Sequence, residues 1–330
     1  LEHGRFALFF KIHHAIVDGE GGIKLFRDAL SDDPKDRRIR PIWLPAGKPP
    51  KRAKQRVSQS QLERLSSQVN ALPAGVVGLA RGLLELGAQT LNLKSSEASM
   101  PFQAPASPFN VQTLSSARSY ASCEIPLDRV QAVARASACT VNDVVMTLID
   151  DALHKYMVER GQSMSVPLVA AMAVSTRTAG QDAAGNQVSG ELVPLGQPHA
   201  SVATRLQQVH EATVKVMERA RARSTPMRQL HSLILFGAAT LPEITPGLTA
   251  APSYNLLISN MAGPREQLYL GGASLVAFRG MPIVPPNPGL NVTFLSIQSR
   301  ICLAVGCTPE SMRDPGRYIE LLLQSWRELE

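Results

Sequence analysis

The chain has 330 residues, 44% of them hydrophobic and 18% charged, with a mean hydropathy of −0.03. That balance excludes intrinsic disorder, and the length suffices for a sizeable core in two domains or one large one. Lysine and arginine total 34 against 27 aspartates and glutamates, a formal charge of +7. A basic surface suits anionic partners such as anionic lipid or a phosphorylated cofactor. Aromatics are only 5% and no zinc-finger or ribonucleoprotein-type motif occurs, so nucleic acid is not expected.

The chain opens at Leu1 and enters an apolar run, Phe6-Ala7-Leu8-Phe9-Phe10. This predicts a buried strand over 5–12 and a true start upstream. The segment 13–22, HHAIVDGEGG, reads as a turn-rich loop, and a helix is expected to start over 23–30. Residues 31–60 are polar and proline-rich, with a basic run at Lys51-Arg52-Ala53-Lys54. That run is a solvated face or a contact for phosphate groups or anionic headgroups. Residues 61–93 read as helical. The apolar stretch 72–93 carries Arg81, Glu85 and several glycines; it is a buried helix pair or a segment lying against lipid. No run of 18 apolar residues indicates a spanning helix, and no secretory leader is visible.

Low periodicity over 94–117 marks the expected linker, placed at 101–117 between domains 1–100 and 118–330. A strand at 120–125 and a helix at 127–138 follow. A second helix opens at Thr140-Val141-Asn142-Asp143 and runs to about Arg160, with Thr140 and Asp143 fitting a capping box. A strand at 166–174, a loop at 178–190 and helices at 202–222 and 226–241 come next. Strands are expected at 254–259, 273–278, 290–296 and 301–306, before an amphipathic helix at 314–329. Strands and helices mix throughout, so the fold class is α/β or α+β. Cys123, Cys139, Cys302 and Cys307 form no CxxC; they read as small buried hydrophobes of a reducing compartment.

Chemistry concentrates at His13-His14-Ala15-Ile16-Val17-Asp18-Gly19. A neutral imidazole is a natural general base near pH 7, able to take the proton of a hydroxyl that attacks an activated acyl group. Neighbours on a strand face opposite ways, so only one of the two histidines easily faces a given cleft. The same divergence argues against a metal-dependent hydrolase built on His13, His14 and Asp18, because helical HExxH puts both histidines on one face. Asp18 is too local for a distant triad acid and is expected to pair with an arginine and shape the loop. Gly19 is expected to permit a positive φ there. No nucleophile elbow, Walker A or complete GxGxxG occurs. His3, His154, His199, His210 and His231 carry no motif and read as structural.

HHxxxDG is the hallmark of the CoA-dependent acyltransferase superfamily. Pro41-Ile42-Trp43 resembles its PLW motif, Asn142-Asp143 an ND motif, and Ser259-Asn260-Met261-Ala262-Gly263-Pro264 the SNxPGP motif; Leu290–Ser296 resembles a late strand motif. In this order the chain resembles the bacterial wax ester synthase/acyl-CoA:diacylglycerol acyltransferases, less roughly a hundred residues before the histidines. Ile42, Ala262 and Ile297 depart from the usual residues. The resemblance implies two chloramphenicol-acetyltransferase-like α/β domains, the first incomplete here, with His14 at their interface and a tunnel from each side.

It also implies an O-acyltransferase that moves a long-chain acyl group from acyl-CoA to a fatty alcohol or diacylglycerol. His14 is then the general base, His13 structural, and Asp18 a loop-holder with Arg177 as its expected partner. Gly19, Asn142 and Asp143 support the site, although capping alone explains an acid at Asp143. Trp43, Ser259, Asn260, Gly263 and Pro264 belong to motifs that core packing or a strand-ending turn would equally explain. No metal, cofactor or acyl-enzyme is required, acyl-CoA being a co-substrate. A cytoplasmic protein peripheral to membrane or lipid inclusions is expected. A non-catalytic lipid-binding member of the fold is the alternative.

Overall fold

The computed structural model describes residues 4–13, 16–42, 103–111, 116–175, 188–223, 231–232, 235, 252–285 and 287–330. Leu1–Trp43 and Ser99–Glu330 form one compact unit and Leu44–Ala98 a second. The second unit lies outside the described residues. So do the expected helix at 61–93, most of that at 226–241, and the basic run at 51–54.

The organising element is a six-stranded mixed sheet. Its strands are β1 (Ser119–Pro126), β2 (Val169–Ser175), β3 (Val188–Pro194), β4 (Leu256–Ala262), β7 (Leu290–Ile297) and β8 (Arg300–Cys307), in the order β1-β8-β7-β4-β2-β3. A small hairpin, β5 (Tyr269–Leu270) with β6 (Ala273–Ser274), stands apart. The central pairs β2/β4 and β4/β7 are parallel and the outer pairs antiparallel. Strand side chains alternate between faces. On one face Ala170, Met172, Val193, Leu256, Ile258, Val292, Phe294, Leu303 and Val305 build the main core. The opposite face carries a smaller cluster of Val169, Ala171, Leu192 and Tyr254, reached by Ala104 and Leu235. The segment 103–111, inside the stretch expected as linker, is anchored: Phe109 joins the main core, and Asn110 Nδ2 donates to Tyr254 O at 2.8 Å.

Helices α2 (Leu127–Ala136), α3 (Val141–Val158), α4 (Val202–Ala222) and α5 (Pro315–Leu329) cover the main-core face. α3 packs against the other three and is buried almost all round. A helix with an apolar surface on every side belongs in a core, yet α3 also buries Asp150, Asp151 and His154. Arg205 of α4, 1% exposed, resolves this. Its Nη1 donates to Asp150 Oδ2 at 2.5 Å and to Gly196 O at 3.2 Å, and Nη2 donates to Pro198 O at 3.2 Å. Asp151 Oδ2 pairs with Lys155 at 2.8 Å and accepts from Ser325 Oγ of α5 at 2.6 Å. The buried charges thereby tie α3 to both neighbouring helices.

Three sequence expectations need correction. Residues 5–12 form no strand, and Phe6, Leu8 and Phe9 are exposed, Phe9 by 73%. A strand needs a neighbour for its backbone groups, and among the described residues none runs beside this segment. Phe10 instead stacks edge-on with Phe26, which stacks edge-on with Phe278, each at 4.9 Å. The strand expected over 273–278 shrinks to Ala273–Ser274, which pair with Leu270 and Tyr269 before the ladder ends at the Leu275 N–H bond to Leu268 O. The loop expected over 178–190 overlaps β3, whose Gly190 and Glu191 mask the strand signal; Glu191 is buried because Arg223 Nη1 bonds both its oxygens at 2.8 Å.

Removing one partner of a buried pair leaves an uncompensated charge. Arg205→Met is expected to lower stability by roughly 3–5 kcal/mol in urea unfolding, with much of the loss regained in Arg205→Met/Asp150→Leu.

Candidate active site

Asp18 shapes the first wall of the site. It is the N-cap of α1 (Gly19–Ala29), 3% exposed, and its Oδ1 accepts from Gly21 N–H at 3.0 Å. An acid here satisfies an orphan helix donor and complements the positive helix end. The turn-rich reading of 13–22 therefore gives way to a helix start. Gly19 does not take a positive φ; the described glycines that do are Gly4, Gly161, Gly271 and Gly272. A Cβ at Gly19 would instead overlap the Met261 thioether of β4, which would have to swing aside. His13 is exposed, and its carbonyl accepts from Ile16 N–H at 2.9 Å. His14, Arg177 and Trp43 lie outside the described residues.

The second wall is the C-terminal end of β4, a central strand of the parallel trio. Ligands of open α/β sheets bind off the carboxyl ends of such strands. Asn260 lies on the same strand face as Ile258, toward the helices, and its Nδ2 donates to Asn142 Oδ1 at 3.4 Å. Asn142, in the first turn of α3, directs its own Nδ2 at Met146 Sδ (3.2 Å) and Met172 Sδ (3.7 Å). Met261 faces the other way, against Gly19. Three motifs distant in sequence, at 18–19, 142 and 260, thus meet around one strand end. Ser259, half-buried, pairs in register with Thr293 of β7.

Gly263 and Pro264 turn the chain out of β4. Gly263 N–H donates to Ser296 O at 2.7 Å, and a Cβ at this position would stand 2.8 Å from that same carbonyl oxygen. Only glycine fits so near a backbone. Pro264 O accepts from Gln298 N–H at 2.8 Å. Both residues line a shallow apolar depression, open to solvent, walled by Ile23, Phe26 and Leu30 of α1 and by Leu268 and Phe278.

Asp143 faces elsewhere. Its Oδ2 accepts from Thr140 N–H at 2.9 Å and Thr140 Oγ1 at 2.8 Å, completing the expected capping box. The same oxygen lies 2.8 Å from His210 Nδ1, and Oδ1 accepts from Thr213 Oγ1 at 2.6 Å. Burial pushes this carboxyl up, but the bonds from Thr213, His210 and Thr140 outweigh it and hold it below its ordinary value. Consecutive helix residues sit about 100° apart, so Asn142 turns to the strand end while Asp143 locks α3 to α4. His210 and Thr213 escaped the sequence reading, since nothing local to α4 marks them as partners of a residue some seventy positions earlier. Met146, Met172 and Met261 escaped it as ordinary core residues.

Among the described residues no three His, Cys, Asp or Glu side chains converge as metal ligands. All four cysteines are free; burial pushes the Cys123 and Cys307 thiols up to about 12 and Cys302 to about 11. No single helix among the described residues is long and apolar enough to cross a membrane.

Asp143→Asn is expected to lower stability by about 2–3 kcal/mol, since it breaks a saturated buried network. Because the folded carboxyl is depressed, its contribution is complete above the ordinary value of 3.8 and fades as pH falls through the folded value. Urea midpoints of the two proteins should therefore converge as the pH is taken below 3.8.

The wax ester synthase/diacylglycerol acyltransferase catalytic-domain family matches residues 1–145, and the C-terminal domain of the same family matches 184–330. A putative diacylglycerol O-acyltransferase of Mycobacterium bovis is 45% identical over all of this chain and 71% of its own length. An O-acyltransferase of Acinetobacter baylyi is 31% identical over 91% of this chain and 65% of its own. The structure of a wax ester synthase/diacylglycerol acyltransferase from Marinobacter aquaeolei has the same fold, with a TM-score of 0.70, 24% identity, and coverage of 97% of this chain and 66% of that one. The chain belongs to the wax ester synthase/diacylglycerol acyltransferase family and is an acyltransferase, and it spans about seven tenths of the length of the Mycobacterium bovis relative.

Proposed function

We propose that this family member transfers a long-chain acyl group from acyl-CoA to the hydroxyl of a long-chain alcohol or of diacylglycerol. The observation that carries the reading is the meeting of Asp18-Gly19, Asn142 and Asn260 around the end of β4, with the HHxxxDG histidines immediately before that wall. The relatives named diacylglycerol O-acyltransferase and the wax ester synthase of the same fold support the two acceptor classes.

In this reading His14 is the general base. Its neutral imidazole takes the acceptor's hydroxyl proton as the oxygen attacks the thioester carbonyl. The tetrahedral adduct collapses, the carbon–sulfur bond breaks, and CoA leaves as a thiolate that takes the proton back from His14. Ester and CoA–SH are the products; no acyl-enzyme, metal or further cofactor enters the balance. His13 is structural. Asp18 caps α1 and so orders the chain that follows the histidines. Gly263 and Pro264 keep the exit of β4 close to β7. A centre closed to bulk water would prevent hydrolysis of the thioester. The excess of cationic side chains suits CoA phosphates and an anionic lipid surface, and in this reading the protein works peripherally at the cytoplasmic side of a membrane or on lipid inclusions.

In the full-length protein, His14→Ala is expected to cut thiol release from palmitoyl-CoA by about 10²–10⁴ while the circular dichroism spectrum and unfolding midpoint stay unchanged. Comparing hexadecanol with diacylglycerol as acceptor in that assay assigns the preference. Unaltered release in the variant would overturn His14 as the base, whereas no release from the wild type with either acceptor would make the chain a non-catalytic lipid-binding member of the fold.

A further inference from the structure

We infer that Phe26 is a positioning residue: its ring closes the base of the loop that carries His13 and His14 and ties that loop to the chain leaving the β5–β6 hairpin. The inference rests on the acyltransfer reading above, with His14 as the base, and adds a residue that no motif marks.

The histidine pair lies between two stems, the segment 5–12 before it and α1 after it. At the tip, the chain is tightened by the Ile16 N–H bond to His13 O and by the Asp18 cap. At the base, the ring of Phe10 meets the ring of Phe26, with centroids 4.9 Å apart and planes at 86°. Edge-on packing sets the positive edge of one ring against the negative face of the other, so the pair favours one geometry where two aliphatic chains would slide. The clamp matters because the segment 5–12 has no strand beside it among the described residues to fix its course.

Phe26 makes the same kind of contact on its other side. The Phe278 ring stands 4.9 Å away, again at 86°. Phe26 faces it because Ile23, Phe26 and Leu30 share one apolar stripe of α1, spaced by three and four residues. α1 is held near both ends as well. Gly19 lies against Met261 of β4. Beyond the last turn, Ser31 N–H donates to Tyr269 O at 2.9 Å, and Tyr269 N–H donates to Ser31 O at 2.7 Å. The helix is thereby fixed to β4 and to the β5–β6 hairpin, and Phe26 passes that constraint to the stem before the histidines. It does so without touching substrate. Acyl transfer needs its reacting groups aligned, so a loosened loop slows the chemistry more than it weakens binding.

The test uses the full-length protein with palmitoyl-CoA and whichever acceptor supports turnover, and it reads kcat, KM and the urea unfolding curve. Phe26→Leu keeps an apolar side chain in the stripe but removes the ring. It should lower kcat about tenfold, short of the 10² that a misplacement of about 1 Å can cost, with KM for palmitoyl-CoA unchanged and the protein fully folded without urea. Phe26→Tyr keeps the ring and should keep the wild-type kcat. Phe10→Leu should lose as much as Phe26→Leu, and the double variant should be no slower than either, because each ring acts through the other. Wild-type kcat in Phe26→Leu, the same loss in Phe26→Tyr, losses that multiply in the double variant, or a loss matched by unfolded protein would each overturn this inference while leaving the acyltransferase reading intact. A wild type that releases no thiol with either acceptor would overturn both.

Discussion

The first turn of α3 is the constraint on which the rest of the structure depends. Thr140 and Asp143 close it with a reciprocal cap, and His210 and Thr213 of α4 grip the same carboxylate from the side. One turn later the helix is inside the core, and the Asp150–Arg205 pair ties its middle to α4. A helix end held this firmly can present a side chain to a strand end with little freedom, and Asn142 is the side chain presented.

The sheet supplies the complementary constraint. Because β2, β4 and β7 run parallel, their carboxyl ends share one edge, and the chain leaving β4 must turn sharply there. Gly263 makes the turn possible by lying against the Ser296 carbonyl, and Gly19 lets α1 close on Met261 from the opposite face. Two glycines in two separate motifs therefore serve one purpose: each allows a backbone to come near a neighbour that a Cβ would press on, the Ser296 carbonyl in one case and the movable Met261 thioether in the other. Neither needs an unusual backbone angle, so steric access rather than conformational freedom accounts for both.

Much of this was legible in the sequence, and the reasons differ by element. The capping box at Thr140 and Asp143 was readable because its partners are three residues apart, and α4 because its polar face repeats over 202–222. β8 announced itself as an apolar run from Ile301, and β7 through Leu290, Val292, Phe294 and Leu295 despite its Asn291, Thr293 and Ser296. The strand expected over 5–12 failed for a different reason: composition can favour an extended chain, but pairing requires a neighbour, and that information is nonlocal. The same limit hid His210, Thr213 and Arg205, whose roles exist only once α4 lies beside α3. At the site, motif order identified the family, whereas the contact between Asn142 and Asn260, 118 residues apart, appears only in three dimensions.

Acyl transfer to a hydroxyl acceptor makes a demand that simple thioester cleavage does not: CoA must leave only when the acceptor attacks. The most direct measurement follows free thiol and ester together as the full-length protein meets palmitoyl-CoA with and without hexadecanol or diacylglycerol. The account predicts negligible thiol without acceptor and one ester formed per thiol released with it. Thiol released at the same rate in the absence of acceptor would show a thioester hydrolase and contradict the account.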